Sequence, residues 1–394
     1  MSAAAKFSSR TAWDATETEL ARSIRERREA GSPFLDLTAS NPTRCGFAYN
    51  NSQLLAALGD PRALVYDPDP RGMLSAREAV ARYYGDCGVA VDPDHVFLTT
   101  STSEAYGYLF RLLADAGDEV LIAQPSYPLF DFLARLEDVL LAPYPLFYDH
   151  GWHLDIEALR RRIGPRTRAI ALVHPNNPTG HFTKAGERQA LEELCAEHGL
   201  ALIVDEVFLD YAFAGQPARS FASGAHPVLT FVLSGLSKVA GLPQMKAAWI
   251  AALGPEPELT RALERLEIIA DTFLPMNAPI QCALPSWLAN RSAIQNQIRL
   301  RLGENLAALD RLLASQRMIT RLDVEAGWYA ILRVPGLAPD EDLAIRLVRE
   351  HGVSVHPGSS FGFAGSGWLV VSLLSTPQQF ANGVGIIASI FEAG

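Results

Sequence analysis

The sequence is poor in cysteine and lacks the long apolar runs and basic clusters that mark several classes of protein. Its four cysteines, at positions 45, 87, 195 and 282 of 394 residues, show no paired spacing, which favours reduced thiols in a cytoplasm. No stretch of eighteen apolar residues occurs and no apolar segment follows the first six residues, so we expect neither a membrane span nor an export signal. The net charge of −10 and the absence of a basic cluster argue against nucleic acid or an anionic membrane surface as a partner.

Motifs of several other chemistries are absent as well. The chain has no Gly-x-Gly-x-x-Gly after a strand, no phosphate-binding Gly-x-x-x-x-Gly-Lys and no His-Glu-x-x-His. His150 and His153 share a turn-like segment with Asp149, where we expect a solvent-facing loop and predict no metal site. What is present is a chain that is 48% hydrophobic and long enough to bury a large core in two or three domains.

Short apolar runs, each followed by polar or turn residues, predict the strands of a mainly parallel sheet. The runs are 95–98, 119–123, 169–173, 201–204 and 228–233, and helical patterns at 103–114 and 184–198 separate several of them. Runs that are apolar on both faces suit a parallel sheet covered by helices, with right-handed βαβ crossovers. Because the carboxyl ends of such strands meet in one crevice, the segments after the runs are expected to converge on one ligand.

Lys238 is the most informative residue, because it follows the last of these runs in a turn of small residues. A lysine at the mouth of an apolar strand is partly desolvated, which favours its neutral form, and a neutral amine can condense with an aldehyde to a Schiff base. Taken alone, the residue would be interpreted as a surface lysine in a loop. The polar groups that follow the other runs favour the chemical role.

Two of those groups suggest how an anionic, aromatic ligand is held. Thr100, Ser101 and Thr102 open a predicted helix, where hydroxyls and free N–H groups form a phosphate cradle, although a plain helix cap has the same residues. Asp205 directly follows apolar residues and would be costly to bury without a cation partner, such as a protonated ring nitrogen.

Two further groups complete the predicted crevice. Asn177 lies in a turn held by Pro175 and Pro178 and offers its side-chain amide to a phenolic oxygen, the alternative being an ordinary Asn-Pro turn. Tyr127, at the end of another run, is placed to stack on an aromatic ligand, although a packed tyrosine is the commoner outcome.

In this order and at these separations the residues resemble the class I and II aminotransferases, pyridoxal-5′-phosphate (PLP) enzymes of fold type I. The resemblance runs from about Leu35 to the C-terminus. It rests on the Asn-Asn-Pro-Thr-Gly turn, the Asp-Glu-Val after a strand, and a Ser-x-x-Ser-Lys followed eight residues later by a basic residue. It implies that Lys238 forms the internal aldimine and later moves the proton between Cα and C4′. Asp205 keeps the pyridine nitrogen protonated, so that the ring accepts electrons.

The resemblance also assigns the other cofactor contacts. It implies a phosphate site that consists of Thr100, Ser101, Thr102, Ser237 and Lys246, with Tyr127 as the stacking residue and Asn177 at the phenolic oxygen. Tyr66 resembles the tyrosine that reaches the phosphate of the neighbouring subunit. The active site would therefore need a homodimer.

Three positions depart from the family pattern. Phe208 stands where many members have a tyrosine that donates to the cofactor's phenolic oxygen, which leaves that role to Asn177. Lys246 stands where an arginine usually grips the phosphate, so the charge is kept and the bidentate fork is lost. Val370 falls at the arginine that clamps the substrate α-carboxylate, and valine supplies no charge-assisted contact.

The missing clamp leaves two interpretations open. Either another cation takes over, with Arg44 and Arg71 as the candidates, or the substrate is not an ordinary α-amino acid bound in the ordinary way. Ser40 and Asn41, just before Arg44, are predicted to contact the substrate as well.

The sequence thus predicts an α/β protein whose large domain, 46–285, has a mainly parallel, seven-stranded-type sheet sandwiched by helices. A smaller α+β domain, 286–394, would contain strands at 328–334 and 368–374, and the N-terminal segment, 1–45, would pack with it over the cleft. The predicted function is a cytoplasmic, homodimeric, PLP-dependent aminotransferase that exchanges an amino group between an amino acid and a 2-oxo acid by a ping-pong mechanism. The alternatives are a PLP-dependent lyase acting by β-elimination and a PLP-binding sensor module, which the lack of a helix-turn-helix pattern disfavours.

Overall fold

The computed structural model describes residues 6–216, 218–274, 276–336 and 338–392. Its helices are α1 (Glu19–Glu29), α2 (Asn51–Ala56), α3 (Leu74–Gly85), α4 (Thr102–Leu113), α5 (Leu129–Leu136), α6 (Ile156–Arg162), α7 (Ala185–His198), α8 (Leu236–Val239), α9 (Glu258–Phe273), α10 (Ala278–Ala289), α11 (Ser292–Leu313), α12 (Asp340–Arg346) and α13 (Pro377–Glu392). Its strands are β1 (Leu35–Asp36), β2 (Val96–Thr99), β3 (Glu119–Gln124), β4 (Leu140–Tyr148), β5 (Trp152–Leu154), β6 (Thr167–Val173), β7 (Ala201–Asp205), β8 (Thr230–Gly235), β9 (Ala248–Leu253), β10 (Thr320–Arg321), β11 (Tyr329–Arg333), β12 (Val353–Ser354), β13 (His356–Pro357) and β14 (Trp368–Ser372).

The large sheet has eight strands in the order β2-β9-β8-β7-β6-β3-β4-β5. The five strands from β8 to β4 run parallel, whereas β9 is antiparallel to both β2 and β8, and the short β5 is antiparallel to β4 at the edge. The predicted α/β architecture is confirmed, with one strand more than the expected seven because β5 extends the sheet.

The sequence did not indicate β9 or β4. The run that forms β9, Ala-Trp-Ile-Ala-Ala-Leu, is rich in alanine, which is depleted in strands, and β4 contains Pro143 and Pro145. In the finished sheet β9 is buried along its whole length between β2 and β8. Tertiary burial therefore outweighs a weak local preference in β9, whereas β4 is largely exposed and forms through its pairing with β3.

Successive side chains of the central strands enter two different cores. In β8, Phe231 and Leu233 pack into the cluster on one side of the sheet, while Val232 packs into the larger cluster on the other side. In β7, Ile203 and Val204 divide in the same way. Both faces of the sheet are thus covered, which explains the continuous apolar runs and holds the carboxyl ends of the strands in place.

The C-terminal region forms a second, antiparallel sheet in the order β10-β11-β14-β13. The N-terminal segment joins this region through β1, which pairs in parallel with β12 outside the four-stranded sheet. The Leu37 N–H donates a hydrogen bond of 2.9 Å to the Ser354 carbonyl, and the Leu37 carbonyl accepts one of 2.7 Å from the Ser372 N–H. The predicted domain limits stay a prediction, and their outermost residues, 1–5 and 393–394, lie outside the described residues. Within the described ranges, no helix has the length and apolar character needed to cross a membrane.

Candidate active site

A cavity of about 300 Å³ opens at the carboxyl ends of the parallel strands. Most of the residues predicted from the sequence to form the site line it: Ser40, Ser101, Thr102, Tyr127, Asn177, Asp205, Ser237, Lys238 and Lys246. These residues come from segments as far apart in the chain as Ser40 and Lys246, and the fold brings them together because parallel strands end at one edge of a sheet.

Lys238 lies in the short helix α8, which begins directly where β8 ends, and the residue is partly buried. Burial lowers the pKa of the Lys238 amine to about 8, and the negative charge of Asp205 opposes part of that shift. The Nζ atom lies 4.6 Å from the ring centroid of Trp328 and 5.6 Å from that of Phe208. Tyr211 fixes the backbone by donating a hydrogen bond of 2.6 Å to the Lys238 carbonyl. The amine is therefore held in an aromatic, poorly hydrated setting that favours its neutral form.

Asp205 is the last residue of β7, and its carboxylate is buried. Burial raises the pKa of Asp205 to about 6, although its Oδ1 accepts a hydrogen bond of 3.1 Å from the Val207 N–H. The hydroxyl of Tyr106 lies next to this carboxylate but has no partner in standard hydrogen-bond geometry, and burial raises the pKa of Tyr106 well above its ordinary value. A buried carboxylate that is only partly compensated suits a cationic ligand group.

Tyr106 was not predicted from the sequence. It lies in α4, four residues after Thr102, so the two side chains share one face of the helix. Helical periodicity counted from the predicted phosphate cradle would have indicated it.

Asn177 faces the cavity, whereas its neighbour Asn176 holds the turn. The Oδ1 atom of Asn176 accepts hydrogen bonds from the Thr179 hydroxyl at 2.9 Å and from the Thr179 N–H at 3.3 Å. The Oδ1 atom of Asn177 is buried and has no hydrogen-bond partner among the described residues. A buried amide oxygen without a hydrogen-bond donor is costly, so the Oδ1 atom of Asn177 calls for a polar ligand group.

The anion-binding end of the cavity forms around the N-terminus of α4. Ser101 is the N-cap and accepts a hydrogen bond of 3.2 Å from the Glu104 N–H, and Thr102 and Ser103 follow it into the cavity lining. The Thr100 N–H instead donates to the Glu104 carboxylate at 2.6 Å, and Thr100 does not line the cavity. Helix N–H groups, hydroxyls and the nearby Lys246 together suit a phosphate.

Some predicted residues lie outside the cavity of this subunit. Tyr66 is 79% exposed on the surface. Asn41 caps a short turn, because its Oδ1 accepts a hydrogen bond of 3.1 Å from the Thr43 N–H, and Arg44 is exposed. None of the three lines the cavity.

Arg71 is also placed away from the cavity. Its Nε donates to Glu267 at 2.8 Å, and its guanidinium donates to the Asp94 carbonyl at 2.5 Å. Asp94 precedes β2, whereas the cavity lies where the strands end, so the structure does not bring Arg71 to the site of its own subunit. Tyr329, which the sequence did not single out, does line the cavity.

Comparison with known proteins agrees with this geometry. Residues 46–387 match the family described as aminotransferase class I and II. Glutamate-pyruvate aminotransferase from Haemophilus influenzae is 27% identical over 344 residues, 85% of either chain, and S-alkyl-thiohydroximate lyase from Arabidopsis thaliana is 27% identical over 314 residues, 77% of this chain and 67% of that protein. The structure of alanine aminotransferase from Pyrococcus furiosus has the same fold, with a TM-score of 0.89 at 23% identity over 99% of this chain and 100% of that one. The chain therefore belongs to the class I and II aminotransferases and is a PLP-dependent enzyme of that family.

Proposed function

We propose that the enzyme transfers an amino group from an amino acid to a 2-oxo acid by a ping-pong mechanism in the cavity around Lys238. The observation that carries the proposal is the convergence of Lys238, Asp205 and Asn177 from the ends of three strands into one cavity. The name of the Haemophilus relative, a glutamate-pyruvate aminotransferase, supports this substrate class.

The polar groups of the cavity fit the functional groups of PLP. The buried carboxylate of Asp205 suits the ring nitrogen, the side-chain amide of Asn177 in the cavity wall suits the phenolic oxygen, and Tyr127 offers a ring to stack on. The phosphate would be held at the N-terminus of α4, by Ser101, Thr102, Ser237 and Lys246, with Thr100 adjoining the cap. When bound, the cofactor supplies a ring that accepts electrons from the substrate's α-carbon.

The protein's own contribution is to hold charges and move a proton. Asp205 keeps a proton on the ring nitrogen by its negative charge. Lys238 holds the cofactor through its amine and, when released, takes and returns the proton of the substrate carbon. A pKa of about 8 leaves part of the Lys238 amine neutral near pH 7, which suits both tasks.

We also propose a homodimer in which Tyr66 completes the site of the partner subunit. Leu64, Val65 and Tyr66 are consecutive apolar residues with exposed fractions of 90%, 63% and 79%. Such a patch favours contact with another protein surface.

We further propose that the enzyme is cytoplasmic. The four cysteines are all free thiols, which supports this location.

A lyase acting by β-elimination is the second candidate, because the Arabidopsis relative bears that name. Lys238, Asp205 and Asn177 would serve either reaction. The two differ in their products, since a transaminase half-reaction leaves the amino group on the cofactor and a lyase releases ammonia.

A spectral screen tests the proposed function. Purified enzyme is mixed with single amino acids without an acceptor, and the cofactor spectrum, the 2-oxo acid and ammonia are measured together. For the wild type we expect one molecule of 2-oxo acid per converted cofactor and no ammonia. We also expect Asp205→Asn to lower kcat/KM roughly a hundredfold or more. Ammonia release at an unchanged cofactor spectrum would establish the lyase instead.

A further inference from the structure

The part of the cavity wall that comes from the N-terminal segment and the small domain is neutral. It consists of Ser40 and Tyr329. Among the described residues that line the cavity, Lys238 and Lys246 are the only ones with a positive charge. Both are engaged by the proposed function, Lys238 with the covalent chemistry and Lys246 with the phosphate, so neither is free for a substrate carboxylate.

The strand register relates Tyr329 to Val370, the position at which the family resemblance implies a clamping arginine. Tyr329 lies opposite Ser372 and Ile331 lies opposite Val370 in the pairing of β11 with β14. Because residues two apart share a face, the side chains of Tyr329 and Val370 point to the same side of the small sheet. Val370 is completely buried there and supplies an isopropyl group and no charge. Arg333, further along the same side, lies over the Trp368 ring and donates to the Ser366 carbonyl, and it does not line the cavity.

A basic side chain beside Val370, His356, is neutral as well. His356 lies directly opposite Val370 on the other neighbouring strand, with its ring 6.2 Å from the ring of Tyr329 and 5.6 Å from that of Phe361. Burial among these side chains lowers the pKa of His356, which keeps the imidazole uncharged at neutral pH.

The two hydroxyls of the wall can both donate and accept hydrogen bonds. Burial raises the pKa of Tyr329 above its ordinary value, so its phenol keeps the proton, and the Ser40 hydroxyl lies beside it. A carboxylate brings only acceptors and a full charge that nothing here compensates. A carboxamide, an ester or a hydroxymethyl group brings no charge, and each can pair with hydroxyls.

Resting on the proposed function, we propose that Ser40 and Tyr329 bind the substituent next to the amine and that the enzyme accepts amino compounds in which this substituent is a neutral polar group. Amino acid amides, amino acid esters and amino alcohols are the chemical class. Amino acids remain substrates, but without the strong preference for a carboxylate that a guanidinium clamp would confer.

The first test compares pairs that differ only in charge. We measure kcat/KM of the holoenzyme for alanine and alaninamide and for leucine and leucinamide, and binding of a 2-hydroxy acid and its carboxamide by calorimetry. We expect the amide to equal or exceed the acid in both measurements. A clamped enzyme would favour the acid roughly tenfold to a hundredfold, and such a preference would overturn the inference.

The second test restores the charge. Val370→Arg is expected to raise the acid-to-amide ratio of kcat/KM roughly tenfold or more, and Val370→Met, a long uncharged side chain, is expected to leave the ratio unchanged. Because Val370 is buried, the Val370→Arg variant could fail to fold. In that case Tyr329→Phe is tested instead, and we expect it to weaken binding of the carboxamide more than binding of the acid. An equal effect on both ligands counts against the inference.

The outcomes separate this inference from the proposed function. If neither acid nor amide converts the cofactor, the proposed function and the inference fall together. If the acid is preferred and Arg44→Ala removes the preference, the enzyme is a transaminase with a relocated arginine, and only the inference is overturned.

Discussion

Lys238, which is partly buried, and Asp205, which is buried, line one cavity, and burial shifts their two pKa values in opposite directions. The amine is lowered to about 8 and the carboxyl is raised to about 6, in each case because burial disfavours the charged form. Each charge also stabilises the other across the cavity. The cavity thus holds an amine that is partly neutral near pH 7 and a carboxylate that a cationic group would stabilise.

Replacing the reactive lysine tests the central assignment. The chain has four lysines, Lys6, Lys184, Lys238 and Lys246, so borohydride reduction followed by peptide mapping can distinguish them all. We expect the cofactor on Lys238, and we expect Lys238→Ala to retain no covalent cofactor and to lose turnover by roughly 10²–10⁴-fold. Lys6 is exposed and far from Lys238 in the sequence, so Lys6→Ala serves as the control and is expected to keep wild-type activity. Cofactor on any other lysine would contradict the assignment.

The segments that follow β6 and β7 contact the segment that leads into β11, and these contacts position all three. The Phe182 N–H donates to the Glu325 carboxylate at 2.9 Å, and Ala326 forms an antiparallel bridge with Ala212. This segment continues directly into Trp328 and Tyr329. The placement of Trp328 beside Lys238 and of Tyr329 in the cavity wall therefore depends on contacts between elements that are far apart in sequence.

Gly180 tests that contact, with Gly199 as a matched control. Both glycines have positive φ, +70° and +65°, but a side chain at Gly180 would meet Ala326 and Val324, while nothing lies within 4 Å at Gly199. We expect Gly180→Ala to lower the free energy of unfolding by about 1–3 kcal/mol more than Gly199→Ala, because only the first adds a steric clash. Denaturant unfolding measures the difference, and equal losses would show that the clash is relieved without cost.

The proposed assembly makes the complete enzyme larger than one chain, because Tyr66 lies on the surface and outside the cavity of its own subunit. Mixing two defective variants tests its role. A dimer of one Tyr66→Ala and one Lys238→Ala subunit has one site with both residues intact if Tyr66 acts on its partner. We expect mixed and reassociated subunits to regain activity above either variant alone, measured as turnover after denaturation and refolding together. No gain would place Tyr66 in its own subunit's site or outside the reaction.

Stability of the whole chain should depend on pH through Glu206. This buried carboxylate accepts hydrogen bonds from the Ser220 hydroxyl at 2.7 Å and the Phe221 N–H at 2.5 Å, and burial raises its pKa from 4.5 to about 8. The folded state binds this proton more tightly than the unfolded chain does. The resulting stability is present below about pH 4.5 and is lost as pH rises through about 8. We expect Glu206→Gln to show a smaller fall in Tm over this range than the wild type, and equal slopes would contradict the assignment.

The sequence predicted much of the site because of one geometric rule. Polar residues that follow apolar runs, among them Asn177, Asp205 and Lys238, meet at one edge whenever those runs become parallel strands. The same reasoning missed β9, where alanine carries little strand preference, and it gave no sign that the Thr100 N–H pairs with Glu104 and that Thr100 does not line the cavity. Local patterns therefore identify strand ends well and say less about which neighbouring side chain faces the ligand.

The sequence by itself determined the family and the cofactor, and it indicated Lys238 as the candidate for the reactive lysine, because these depend on residue types at short spacings. Only the tertiary structure decided that Tyr106 reaches Asp205, that Tyr329 lines the cavity and that Arg71 is held by Glu267 instead. Arg71 and Glu267 are 196 residues apart. The physical reason is that such contacts form between elements whose relative positions are set by packing of the whole core, which no local pattern contains.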